Sequence, residues 1–157
     1  MSDDLSVRPW DADDSEALSA LYEASVRELG ARNYSPAQVE AWASLTPSAE
    51  SLTARMADGR TRLVAVAEAV AGFIDIETDG HIDLLYVAPA AAGRGVARTL
   101  LETAEALAPL SGAVRLYAEA SETARPVFER LGFSVTGRRD FEVAGVPIHN
   151  WAVEKTL

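Results

Sequence analysis

Between residues 84 and 101 an apolar run, Leu84-Leu85-Tyr86-Val87, passes through Ala88-Pro89 into a loop of mostly small residues, Ala90-Ala91-Ala92-Gly93-Arg94-Gly95. Val96, Ala97, Leu100, Leu101, Ala104, Leu107 and Ala108 then recur at helical spacing until Pro109 and Gly112 stop them. A strand therefore runs through a small-residue loop into a helix N-terminus. There the first N–H groups lack intrahelical partners and the helix dipole favours an anion. Gly93, Gly95 and Ala97 leave room for a diphosphate to approach the main chain, and Arg94 can add a charge-assisted contact. The loop lacks both the six-residue dinucleotide glycine spacing and the Lys-Ser/Thr ending of a phosphate-binding loop. Coenzyme A fits it better than a nucleotide, the alternative being a plain strand-to-helix turn whose glycines satisfy geometry alone.

The rest of the chain supplies the frame for one domain, 1–157, with a mixed, mostly antiparallel sheet of six to seven strands and helices on both faces. A short strand at 5–8 precedes an amphipathic helix carrying Leu18, Leu21, Tyr22, Ser25 and Leu29, which Gly30 closes. Ser35-Pro36 opens a second helix with Val39 and Trp42, and Thr46-Pro47-Ser48 separates it from a third through Leu52 and Met56. Runs at 61–68 and 71–77 read as strands, and Asp79-Gly80 marks a hairpin into the strand 81–87. Beyond the 96–108 helix come a strand at 114–119, a helix at 121–131, and strands at 133–143 and 148–155.

Composition narrows the functions. The net charge of −10 argues against nucleic acid, which is held by clustered Lys and Arg, and favours a cationic acceptor such as an amine. The chain has no Cys, and its two histidines, His81 and His149, match no metal motif, so no metal is expected. The acidic start, residues 1–14, has no apolar leader core, and the longest apolar stretch, 63–74, is too short to span a membrane. A cytoplasmic location is the expectation, and exposed strand edges are compatible with a homodimer.

Leu85-Tyr86-Val87-x-Pro followed by Gly93-Arg94-Gly95-Val96-Ala97 resembles motif A of the GCN5-related N-acetyltransferases, Gln/Arg-x-x-Gly-x-Gly/Ala. Ala92 stands where Gln or Arg is usual, so one side-chain contact is lost and the main-chain cradle kept. About 35 residues after the start of the first motif, as a strand and helix spacing allows, comes Ala120-Ser121-x-x-Ala124-x-Pro126-x-Phe128, then Gly132-Phe133. It is similar to that family's Asn-x-x-Ala-x-x-Phe-Tyr-x-x-x-Gly-Phe ending, in the form of a bacterial subgroup.

The resemblance implies transfer of an acetyl group from acetyl-CoA to an amine of a small molecule or peptide by direct attack, with no covalent intermediate. It implies that the main chain at Tyr86 and Val87 pairs with the pantetheine arm, that an N–H near Val87 polarises the thioester carbonyl, that Arg94 to Ala97 hold the diphosphate, with Leu85, Ala92 and Gly93 also at the cofactor, and that Ser121 and Phe128 flank the arm. Phe128 replaces the Tyr held to protonate the leaving thiolate in many members, which leaves water or Tyr117 for that role. For the base, Asp83 is placed first and His81 second, with Asp75 or Glu77 acting through water, while solvated polar groups at a hairpin end would serve no catalytic role. The competing functions are a non-catalytic acyl-CoA-binding or sensor module, and an acetyltransferase domain whose acidic surface binds a basic partner.

Overall fold

The computed structural model describes residues 5–157, and residues 1–4 of the acidic start lie outside the described residues. Among the described residues seven strands form two antiparallel sheets. The first holds β1 (Ser6–Pro9), β2 (Thr61–Val66), β3 (Val70–Ile76) and β4 (Ile82–Val87) in that spatial order. In the second, β7 (Val146–Thr156) lies between β5 (Arg115–Ala120) and β6 (Ser134–Val143). A single parallel bridge, His81 to Tyr117, links them among the described residues, so the expected mixed sheet has its parallel step reduced to one contact.

Local chemistry explains the punctuation. Helix α1 (Ser15–Glu28) comes after a one-turn segment whose capping box joins Asp11 and Asp14. Ser35 and Gln38 form a second capping box on α2 (Pro36–Ala43), with Pro36 in the first turn, and Ser48 caps α3 (Ala49–Arg55). The β6–β7 hairpin turns on Ala144 and Gly145, both at positive φ, the conformation a two-residue turn between twisted strands needs. The last helix is shorter than expected: α5 covers only Arg125–Arg130, because residues 121–124 form a turn in which Ser121 Oγ accepts from Ala124 N at 3.0 Å.

Two apolar cores flank the first sheet. One packs α4 (Val96–Leu107) and α5 against alternate residues such as Leu63, Ile74, Ile82 and Val153. The other packs α1 to α3 against Val64, Phe73 and Leu84, and it includes Trp10, Leu18 and Leu52. Phe73 and Ile74 are fully buried on opposite faces of β3, each worth about 1.5–3 kcal/mol of burial. Trp42 joins the second core from α2, packing on the sheet through Tyr86 with ring centroids 6.4 Å apart. No helix among the described residues is long and apolar enough to cross a membrane.

Candidate active site

The register of β3 and β4 slips between Asp75 and Ile76: Asp75 faces Leu84 while Ile76 faces Ile82, leaving Asp83 as an extra residue in β4. Such a bulge re-aims the side chains beyond it. Ile82 packs into one core, Leu84 and Tyr86 into the other, and Leu85 and Val87 return to the first. Regular alternation would put Ile82 and Leu84 on one face.

At its start β4 is tied to β5: Tyr117 N donates to Gly80 O at 3.1 Å. Gly80 has φ +98°, and a Cβ there would lie 1.9 Å from Arg115 O, so only glycine lets β5 come this close. Beyond that joint the strands diverge. The main-chain edge of β4 at Leu84 to Val87 pairs with β3 alone, and residues 82–87 and 118–120 line opposite sides of one cavity of about 870 Å³.

One end of the cavity is the loop before α4. Gly93 and Gly95 have φ +77° and +80°, a region where a side chain is strained, and a Cβ on either would project into open space. Both glycines are therefore required by conformation. The first intrahelical bond runs from Thr99 N to Gly95 O at 3.0 Å, which leaves the N–H groups of Val96, Ala97 and Arg98 without helical acceptors. Three aligned donors, an open concavity and the positive end of a 12-residue helix fit a diphosphate. Of the expected cofactor residues, Leu85, Tyr86, Val87, Ala92, Gly93, Gly95, Val96, Ala97, Ser121 and Phe128 all line the cavity. Arg94 does not; Arg98 and Arg130 do. Phe128 is also a core residue, 3% exposed and packed edge-on against Phe133 at 4.9 Å.

The other end is built from side chains distant in sequence. Tyr22 and Ser25 come from α1, Trp42 from α2, and Arg139, Phe141, Ile148, His149 and Asn150 from the β6–β7 hairpin. Tyr34 OH donates to His149 O at 2.7 Å and accepts from Glu122 N at 2.8 Å, joining this wall to the turn that carries Ser121. Glu122 Oε1 accepts from His149 Nε2 at 2.8 Å and Trp151 Nε1 at 3.1 Å, and the His149 bond leads in holding its carboxyl below the usual range.

The three candidate catalytic groups separate. Asp83 lines the cavity, but Arg55 Nη1 and Arg60 Nη1 donate to its Oδ2 at 2.8 and 3.1 Å. Burial pushes its carboxyl up, the two guanidinium bonds outweigh that, and the net shift is downward, which weakens Asp83 as a base. His81 sits at the β4–β5 joint outside the cavity lining, its Nδ1 on Glu77 Oε1 and its Nε2 2.7 Å from Glu119 Oε1. Burial alone would lower its pKa, but the two carboxylates outweigh it and the value is raised. Tyr117 also lies at the joint, one residue before the lining that begins at Ala118, and its OH donates to Asp79 Oδ2. That bond pushes its pKa up to about 12. Its proton is committed away from the cavity, which removes the geometric case for Tyr117 as an acid. Asp75 is fully buried, 3.1 to 3.5 Å from guanidinium nitrogens of Arg55, Arg60 and Arg62.

Reading the sequence missed Glu119, Arg98 and Arg139. Glu119 lines the cavity and faces His81 across the joint; its signal was its place two residues after Tyr117 on the same strand face. Nor does the net charge describe the site. The lining contains Arg32, Arg98, Arg130 and Arg139 against Asp83 and Glu119, so the expected field for a cationic acceptor is not the local one.

Helices on both faces of two antiparallel sheets that part over a helix N-terminus are the architecture of an acetyltransferase. A family model for the acetyltransferase (GNAT) domain matches residues 30–155, and the chain belongs to that family of N-acetyltransferases. It is 29% identical over 147 residues to the uncharacterized N-acetyltransferase YafP of Escherichia coli K12, covering 94% of this chain and 93% of that one. A GCN5-related N-acetyltransferase of Rhodopseudomonas palustris superposes with TM-score 0.89 at 33% identity, over 97% of this chain and 95% of that one. The PaiA N-acetyltransferase of Thermoplasma acidophilum, solved with coenzyme A, shares the fold at TM-score 0.78 and 21% identity, over 98% and 99% of the two chains.

Proposed function

We propose that this single domain transfers the acetyl group of acetyl-CoA to an amine of a small molecule or peptide by direct attack, with Glu119 as the group that takes the amine's proton. The observation that carries the reading is one continuous cavity with the unpartnered N–H groups of Val96 to Arg98 at one end and the Glu119 carboxylate on the facing strand. Acetyl-CoA supplies the activated acyl group. The first turn of α4, with Arg98 and Arg130, holds the diphosphate. The unpaired edge of β4 at Leu85 to Val87 orients the arm as an added strand would, and the Val87 region offers an N–H toward the thioester oxygen, where charge grows during attack.

An acceptor that arrives as ammonium must lose a proton before it can attack. Glu119 attracts the ammonium and accepts that proton. His81 in its neutral form accepts it from Glu119 at Nε2 and releases its Nδ1 proton to Glu77, which is partly solvent-exposed. His81 thus acts through Glu119, and Asp83 serves with Arg55 and Arg60 as a fixed wall. No protein acid is required at Phe128, because a thiolate whose parent pKa is near 8.5 leaves readily at neutral pH.

The test is thiol release from acetyl-CoA with a panel of amines, alongside calorimetry of coenzyme A. Amine-dependent release supports the reading. Tight coenzyme A binding with no amine-dependent release would establish the non-catalytic binding module instead.

A further inference from the structure

The chain carries 24 acidic and 14 basic side chains, so a basic group readily finds a carboxylate. From Arg8 to Arg138, every arginine outside the cavity lining except Arg94 does so, and Lys155 pairs with Glu105. The arginines that line the cavity, Arg32, Arg98, Arg130 and Arg139, make no ion pair among the described residues. Arg94 apart, the unpaired arginine charge among the described residues is therefore gathered at one cavity. Arg98 and Arg130 lie on α4 and α5 at the diphosphate end. That leaves Arg32 and Arg139 without an anion to meet.

Arg139 is held in a way that preserves its charge. Its Nη1 donates to Asn150 Oδ1 at 2.8 Å, and its guanidinium lies 5.4 Å from the Phe141 ring centroid. A neutral amide and a ring fix the side chain without cancelling it, and the rest of the fork is available for a bidentate anion. The register places Arg139 opposite Asn150, Phe141 opposite Ile148 and Glu119 opposite Ala152. Arg139 and Glu119 thus share one face of the second sheet, two strands and two residues apart, about 12 Å between backbones by strand geometry. Their side chains narrow that span to the size of a small molecule. Trp42, Leu45 and Phe141 supply apolar wall beside it.

We propose that the acceptor is an amine that carries its own carboxylate, which docks on Arg139 with Arg32 contributing from the α1–α2 connection, while the amine faces Glu119. This rests on the transfer reading above, and it assigns opposite charges to the two ends of the acceptor. Free amino acids and short peptides both present that chemistry.

The experiment offers the standard L-amino acids and a set of dipeptides, each as free acid and as C-terminal amide, to the protein loaded with acetyl-CoA for turnover and with coenzyme A for calorimetry. The expected result is at least one acid favoured over its amide by tenfold or more in kcat/KM or in affinity, with the free amino acids and dipeptides showing which source is used. In Arg139→Gln the acid-to-amide ratio falls toward one, and in Arg139→Glu it inverts. Amides equal to or better than acids throughout, no binding of any acid, or a preference that survives both substitutions would overturn the proposal. An acid that binds in an Arg139-dependent way without releasing thiol upholds the anion dock while refuting the transfer reading, so the two failures are distinguishable.

Discussion

The cavity's two halves are made differently. The cofactor half is main chain: a β-edge, a loop with two left-handed glycines and three helix N–H groups, all within residues 82–98. The acceptor half is side chain: an arginine and an aromatic from the β6–β7 hairpin, aromatics from α1 and α2, and a glutamate from β5. A backbone site is fixed by its local conformation and tolerates little variation in residue size. A side-chain site can be rewritten one residue at a time on an unchanged frame. The first half thus defines the class of reaction and the second the partner.

The largest effect expected from dividing the site this way is in the acceptor half. Glu119→Gln should lower kcat by about 10²-fold or more, the scale of acid-base catalysis, with coenzyme A affinity within twofold of wild type, about 0.4 kcal/mol. Wild-type turnover in a folded Glu119→Gln protein would break the assignment of the proton to that strand. Next comes Ala97→Glu in the cofactor half, which sets bulk and negative charge against the three N–H groups. Coenzyme A affinity should fall tenfold or more, about 1.4 kcal/mol, and unchanged calorimetry would remove the diphosphate from the α4 N-terminus.

A smaller change is expected where the halves meet. Phe128→Tyr should raise the maximal rate by less than about tenfold, because Phe128 is buried against Phe133 and the leaving thiolate needs no protein acid. A gain of 10²-fold, measured at saturating acetyl-CoA, would show that an acid is missing.

The smallest effect concerns His81. Its raised pKa means the relay gains its neutral imidazole only as pH climbs past the ordinary value of about 6.5, so the acid limb of kcat/KM should lie above that value and shift or vanish in His81→Gln. Stability runs the other way. The charged His81 bridging Glu77 and Glu119 contributes fully below about 6.5, and its contribution is lost as pH rises through the raised folded value. The thermal-melt advantage of wild type over His81→Gln should therefore shrink across that window, and an advantage flat with pH would show that the bridge carries no charge.

Much of this was legible because it is local. Asp79-Gly80, Ser35-Pro36 and the small-residue loop encode their turns and caps through φ preferences and side-chain bonds that reach only a few residues. The bulge at Asp83 was not legible, since it arises from the pairing of two strands and from the need to bury both Ile82 and Leu84. Nor was the approach of Arg55, from α3, and Arg60, just ahead of β2, to Asp83, which lowers the pKa of the expected base.

The amino-acid sequence by itself therefore determined the cradle, the order of strands and helices and the family's chemistry, because main-chain geometry answers to neighbours in the chain. Only the tertiary structure decided which carboxylates line the cavity and which arginines make no ion pair among the described residues. A charge takes its meaning from the charges within a few ångströms of it, and those come from residues that the fold, over separations such as that of His81 and Glu119, brings together.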